Sequence, residues 1–153
     1  MPISTNMFPA STARSETREG CPKILIVDND ENVLIALERS LEDEGYVTAT
    51  ALGQNEAWKF LSEVRFDGLV LDDYLSEKDS IEFLTDLRSV ERTPASVVVT
   101  YHRQPSQSMQ VRLRLLGVNA LVRKCELSEL RRIMHELLDG TVCGPYCRVE
   151  GQD

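Results

Sequence analysis

Two periodicities alternate along the middle of this chain. "KILIV" at 23–27 is an unbroken apolar run, the pattern of a strand covered on both faces. "ENVLIALERSLEDEG" comes next, with Leu34, Leu37 and Leu41 at helical spacing and Gly45 as the stop. "YVTAT" reads as a second strand, and "QNEAWKFLSEV" as a helix with Ala57, Trp58, Leu61 and Val64 on one side. "GLVL" is a third apolar run that ends on Asp72 and Asp73, and "SIEFLTDLRSV" is a helix with Ser80 as its expected N-cap. Pro94 breaks the chain before a fourth strand, "SVVVT". "SQSMQVRLRLLG" is a helix closed by Gly117, and "ALV" is a short fifth strand. The last helix, "SELRRIMHELLDG", is bounded by Ser128 and Gly140.

Five strands alternating with five helices predict an α/β fold: a doubly wound parallel sheet with helices on both faces and right-handed crossovers. The ordered domain is expected over residues 22–140, between a Ser/Thr/Pro-rich, disordered N-terminal arm (1–21) and a C-terminal tail (141–153). In such sheets the ligand lies beyond the carboxyl ends of the strands. The residues immediately after each apolar run are therefore the candidates for chemistry.

Strand one runs into Asp28, Asn29 and Asp30, and strand three into Asp72 and Asp73. Strand four ends at Thr100, and Arg123 and Lys124 come after strand five. Carboxylates from two adjacent strands can share a hard divalent cation, typically Mg²⁺. A hydroxyl and a lysine opposite them suit an anionic group such as a phosphoryl. Together the four kinds of group support phosphoryl transfer onto an aspartate. Asp30 is expected to cap the first helix, and Asp73 to point away from the site.

Composition narrows the field a little. Among 153 residues, 42% are hydrophobic and 27% charged, ordinary values for a soluble domain. No apolar run approaches the roughly 20 residues of a membrane span, and the N-terminus lacks the apolar core of a secretory signal. A net charge of −8 disfavours general nucleic-acid binding. The charge is uneven: residues 23–91 carry six Lys/Arg against seventeen Asp/Glu, whereas residues 103–132 carry seven against two. Four cysteines, Cys21, Cys125, Cys143 and Cys147, include a "CGPYC" pair with three residues between the thiols, one more than a thioredoxin-type motif. A redox switch through Cys143 and Cys147 is a minor alternative, and a zinc site would need two more clustered ligands.

The ordered set of residues resembles the receiver domain of response regulators, the CheY-like module of two-component signalling, over nearly all of residues 23–139. The family's acidic pair is matched by Asp28 and Asn29, and its phosphoacceptor by Asp72 in "FDGLVLD". Thr100 in "VVVTY" matches the Thr/Ser after strand four, and Lys124 in "GVNALVRKC" the lysine after strand five. The resemblance implies a flavodoxin-like strand order 2-1-3-4-5. It implies a phosphoryl group on Asp72, contacts from Thr100 and Lys124 to its oxygens, and Mg²⁺ on Asp28, Asn29, Asp72 and the Tyr74 carbonyl.

The chain departs from the family at informative places. Asn29 replaces the second acid, so weak Mg²⁺ binding and slow phosphorylation are expected. Cys125 replaces the proline of a Lys-Pro pair whose bond is usually cis. A non-proline cis bond costs roughly 3 kcal/mol, so a trans bond and a less well aimed Lys124 are expected. Ser76 and Asp79–Ser80 stand for the family's Pro and Asp-Gly. Tyr101 replaces a small residue beside the site, and Leu121 an aromatic that changes rotamer on activation. Bulky Tyr74 and His102, two residues beyond Asp72 and Thr100, predict slow hydrolysis of an attached phosphoryl group.

Two functions are therefore expected from the resemblance. One is a cytoplasmic single-domain response regulator, a phosphoacceptor rather than an enzyme acting on another substrate. Its partners would be a histidine kinase or phosphotransfer protein and a downstream protein target. Output would run through the basic face of helix four, strand five and helix five, without direct nucleic-acid or membrane contact and with a homodimer possible. The tail at 141–153 is expected to be too short for a DNA-binding output domain. The other is a degenerate receiver used as a phosphorylation-independent interaction module, motivated by Asn29, Tyr101, Leu121 and Cys125.

Overall fold

The computed structural model describes residues 20–75, 80–90 and 93–138. Five strands and five helices alternate: β1 (Lys23–Val27), α1 (Glu31–Glu42), β2 (Val47–Ala51), α2 (Gln54–Glu63), β3 (Gly68–Asp72), α3 (Ser80–Arg88), β4 (Ser96–Tyr101), α4 (Gln107–Leu115), β5 (Ala120–Arg123) and α5 (Leu127–Leu138). The strands form one sheet in the order β2-β1-β3-β4-β5, and all four pairings are parallel. This is the flavodoxin-like order expected from the resemblance.

Strand alternation divides the core in two. Leu25, Val27, Leu69, Leu71, Val97 and Val99 point to one face, where Ala57 and Leu61 of α2, Phe83, Leu84 and Leu87 of α3, and Leu113 of α4 cover them. Ile24, Ile26, Val70 and Val98 point to the other, against Leu34, Leu37 and Leu41 of α1 and Leu130, Met134 and Leu138 of α5. Because both faces are covered, the central strands are apolar at consecutive positions, which is why they read as unbroken runs. Where α5 crosses β3 there is little room: a Cβ on Gly68 would stand 3.1 Å from Met134 Cε.

Several helix ends differ from the sequence expectation. The fifth helix begins at Leu127, so Ser128 lies inside its first turn and does not cap it. Ser80 is likewise the first helical residue of α3, fully buried, and its hydroxyl has no hydrogen-bond partner among the described residues. Asp30 does cap α1, its carboxylate accepting from Asn32 N–H at 2.9 Å. Gly117 ends α4 at φ 90°, a conformation that favours glycine, and a Cβ there would meet the Arg88 guanidinium at 2.5 Å. Arg88 uses that space to donate to the Leu116, Gly117 and Pro94 carbonyls, tying the end of α3 to the end of α4. Gly140, Cys143, Cys147, Ser76 and Asp79 lie outside the described residues.

Candidate functional site

In a parallel sheet every strand delivers its last residue to the same edge. Asp28 comes directly after β1 and extends its ladder by donating N–H to Ala51 O at 3.1 Å. Asp72 ends β3 in register with Thr100 of β4. Thr100 is in turn in register with Val122 of β5, two residues before Lys124, whose N–H donates to Tyr101 O at 2.8 Å. The ladder alone thus gathers four chemically active residues that are far apart in sequence.

Their side chains meet out of water. Asp28 is 1% exposed, Asp72 4%, Thr100 3% and Lys124 8%. Lys124 Nζ lies 2.9 Å from Asp28 Oδ2 and 3.0 Å from Asp72 Oδ1. Asp28 Oδ1 accepts from Asp30 N–H at 2.9 Å, while Oδ2 has, among the described residues, only the ionic contact with Lys124. Burial raises the Asp28 carboxyl above its ordinary range, and the hydrogen bond from Lys124 opposes that rise without cancelling it. For Lys124, burial works to lower the pKa, but the hydrogen bonds to Asp28 and Asp72 outweigh it and the net shift is upward.

Asp73 departs from expectation. It does not turn away: burial, then a hydrogen bond with the Asp72 carboxyl, push its pKa up to about 6. Its N–H donates to Thr100 O at 2.9 Å, which holds it beside the site. Two acids in succession after an apolar run were the available signal, since both begin the same turn.

Lys124 is also better placed than the loss of the proline predicts. No cis peptide bond occurs among the described residues. Instead Arg123–Glu126 forms a β-turn closed by Glu126 N–H to Arg123 O at 3.2 Å, with Cys125 in its third position at φ 78°. Type II turns place glycine there because L side chains resist positive φ. Cys125 is exposed and a free thiol, whereas Cys21 is buried and disulfide-bonded. Cys125→Gly is expected to stabilise the fold by about 1 kcal/mol by relieving the left-handed strain, less the entropy that glycine adds to the unfolded chain. Urea denaturation of the two proteins measures this; a variant weaker than the parent would show that the thiol contributes packing that outweighs the strain.

The remaining expected residues surround this core. Asn29 is exposed beside Asp28, and Tyr74 is 64% exposed while its N–H approaches Asp72 Oδ1 at 3.5 Å. Tyr101 is half-buried, with the Arg123 guanidinium 5.7 Å from its ring centroid. His102 is exposed, and Leu121 packs against the core. One feature the sequence did not announce is a largely apolar cavity of about 330 Å³ beside Lys124 and Thr100, lined also by Val33 and Ala36 of α1 and Leu127 and Leu130 of α5. The signal was present in α1, where Val33 and Ala36 are apolar but lie off the Leu34/Leu37/Leu41 stripe.

The residues fit a hard divalent cation. Two buried carboxylates face a single ammonium, an excess of negative charge that a metal ion would offset. All available donors are oxygens: Asp28, Asp72, the Asn29 amide and the Tyr74 carbonyl. Asn29 leaves this set one charge short. No group of three or more His, Cys, Asp and Glu side chains arranged for a metal is present among the described residues.

Comparison with known proteins decides the family. The model of the response regulator receiver domain matches residues 24–135. The chain belongs to the response-regulator receiver family. This receiver is 39% identical over 70 residues to the transcriptional regulatory protein PrrA of Mycobacterium tuberculosis, covering 46% of this chain and 30% of PrrA. It is 31% identical over 115 residues to the alginate biosynthesis transcriptional regulatory protein AlgB of Pseudomonas aeruginosa, covering 75% of this chain and 25% of AlgB. The receiver therefore spans about a third or less of the length of these relatives. A CheY-like receiver domain from Methanospirillum hungatei superposes with a TM-score of 0.71 at 23% identity, covering 78% of this chain and 94% of that one. A response regulator from Chloroflexus aurantiacus gives 0.69 at 25%, covering 78% and 98%. Receiver domains bind Mg²⁺ at their phosphorylation site and take part in two-component signalling. No helix among the described residues is long and apolar enough to cross a membrane.

Proposed function

We propose that this receiver accepts a phosphoryl group on Asp72 from a histidine kinase or phosphotransfer protein and signals by contact with another protein. The observation that carries this reading is Lys124, whose buried ammonium bridges Asp28 and Asp72. In the transfer, an Asp72 carboxylate oxygen forms the new bond to phosphorus as the bond to the donor's nitrogen breaks, and the donor leaves with the electron pair. Lys124 then exchanges part of its contact with Asp72 for the incoming phosphoryl oxygens, and Thr100 offers its hydroxyl to another. Mg²⁺, held by Asp28, Asn29, Asp72 and the Tyr74 carbonyl, would supply the charge neutralisation that lets two anions approach. The half-buried Asp73 adds negative charge next to the acceptor and works against that approach. In this reading the chain is the substrate of its partner, not an enzyme with a substrate of its own, and it acts in the cytoplasm.

A second reading, a receiver used as an interaction module without phosphotransfer, is favoured by Asn29 and by Asp73 beside Asp72. Exposure to acetyl phosphate across a Mg²⁺ series, read by intact mass, separates the two. A single added phosphoryl group that requires Mg²⁺ and is absent from Asp72→Ala supports phosphoryl acceptance. A folded protein that stays unmodified both with acetyl phosphate at saturating Mg²⁺ and with a panel of phosphorylated donor proteins supports the module.

A further inference from the structure

The outer side of α4 has no partner in the fold. Leu113 is buried beneath the helix, while Val111 and Leu115 on the opposite side are 55% and 82% exposed. Spaced four residues apart, these two side chains adjoin on the surface, with Arg112 and Arg114 flanking them on either side. Neither arginine has an ion-pair partner among the described residues.

The opposite edge of the sheet carries the complementary pattern. Glu31, Ile35 and Glu38 line one stripe of α1, facing Leu52 after β2 and Glu56 of α2 across a groove of about 160 Å³. Ile35 and Leu52 are 42% and 44% exposed. Glu56 caps the Leu52 N–H at 2.9 Å and still brings its charge to the groove rim. An apolar pair edged by two arginines thus matches an apolar pair edged by three carboxylates.

We propose that α4 of one copy docks into the acidic groove between α1, β2 and α2 of a second copy. Symmetric pairing of α4 with itself would set arginine against arginine, so this face is not self-complementary. The groove lies at the β2 edge and α4 on the β4–β5 side, so the two surfaces of a copy are separate patches at opposite flanks of the sheet. The contact is therefore heterologous and propagates from copy to copy. The chain's net charge of −8 opposes association at long range, so the two facing patches must supply the attraction. This inference does not depend on phosphorylation of Asp72.

Sedimentation velocity of the whole chain at rising concentration tests it. The weight-average sedimentation coefficient is expected to climb without levelling at a dimer. Arg112→Glu/Arg114→Glu and Glu31→Lys/Glu38→Lys, at exposed positions except for the half-buried Glu38, should each weaken association by about tenfold or more. An equal mixture of the two variants should regain it, because each then offers the surface the other needs. A monomer at every concentration, association that survives in either variant alone, or a mixture that stays monomeric overturns the proposal. So does association that the arginine reversal strengthens, which would mark symmetric pairing through α4. If the protein stays monomeric but binds an acidic helical peptide through Arg112 and Arg114, the occupant is a different protein and the proposal also falls.

Discussion

Lys124→Met is expected to abolish phosphoryl acceptance and to weaken the fold by about 3–5 kcal/mol near neutral pH. The methionine keeps most of the side-chain volume and removes only the ammonium, so packing loss is small. What remains is two carboxylates, 1% and 4% exposed, with no cation between them. Each then disfavours ionisation of the other, and burial disfavours both. The Asp28 carboxyl, raised by burial even beside Lys124, rises further without it, so the unfolded chain binds fewer protons than the folded one as pH increases. By linkage the deficit is small in acid, where Asp28 is protonated in both states. It grows as pH climbs through the unfolded carboxylate range and stops growing above the raised folded pKa of Asp28. Urea denaturation of both proteins from acid to neutral pH measures this. A deficit that does not change with pH would mean that Lys124 stabilises by packing and not by charge. Acetyl phosphate labelling in the same preparations tests the proposed contact of the lysine with the phosphoryl oxygens.

Asn29→Asp is expected to tighten Mg²⁺ binding by roughly tenfold or more. A full charge next to a divalent ion is worth several kcal/mol at a partly buried position by Coulomb's law, but Asn29 is exposed and water and salt reduce that to about 1–2 kcal/mol. The same substitution adds another carboxylate beside Asp28, Asp72 and Asp73, which repels them when no metal is bound. Thermal unfolding should therefore cross over: the variant is less stable than the parent in chelator and gains more from added Mg²⁺. Calorimetric titration gives the affinity directly. Equal affinities would place the ion's ligands elsewhere and leave the amide as a surface residue.

Much of this architecture was legible because both faces of the sheet are buried. The runs 23–27, 68–71 and 96–100 have nowhere polar to point, and all became central strands. β2 was legible for a different reason: as an edge strand with half-buried residues it shows β-branched alternation. Helix starts were harder to place. Ser80 and Ser128 are good capping residues, but both fall inside their helices. That Asp28, Asp72, Thr100 and Lys124 meet was readable from position alone, since parallel strands deliver their last residues to one edge. The orientation of Asp73 and the left-handed turn at Cys125 were not, because each depends on backbone dihedrals that local composition does not fix.

Arg88 has a mechanical consequence. Its guanidinium fastens the carboxyl end of α4, through Leu116 and Gly117, to the end of α3 at the pole away from Asp72. The amino end of α4 starts after residues 102–106, next to Thr100. A helix anchored at one end behaves as a lever with its fulcrum there. Nine residues at 1.5 Å give an arm of about 13 Å, so a tilt of about 10° moves the free tip by roughly 2 Å and the anchored end hardly at all. Movement originating at Thr100 would therefore displace Val111 more than Leu115, in proportion to distance from the Arg88 pivot.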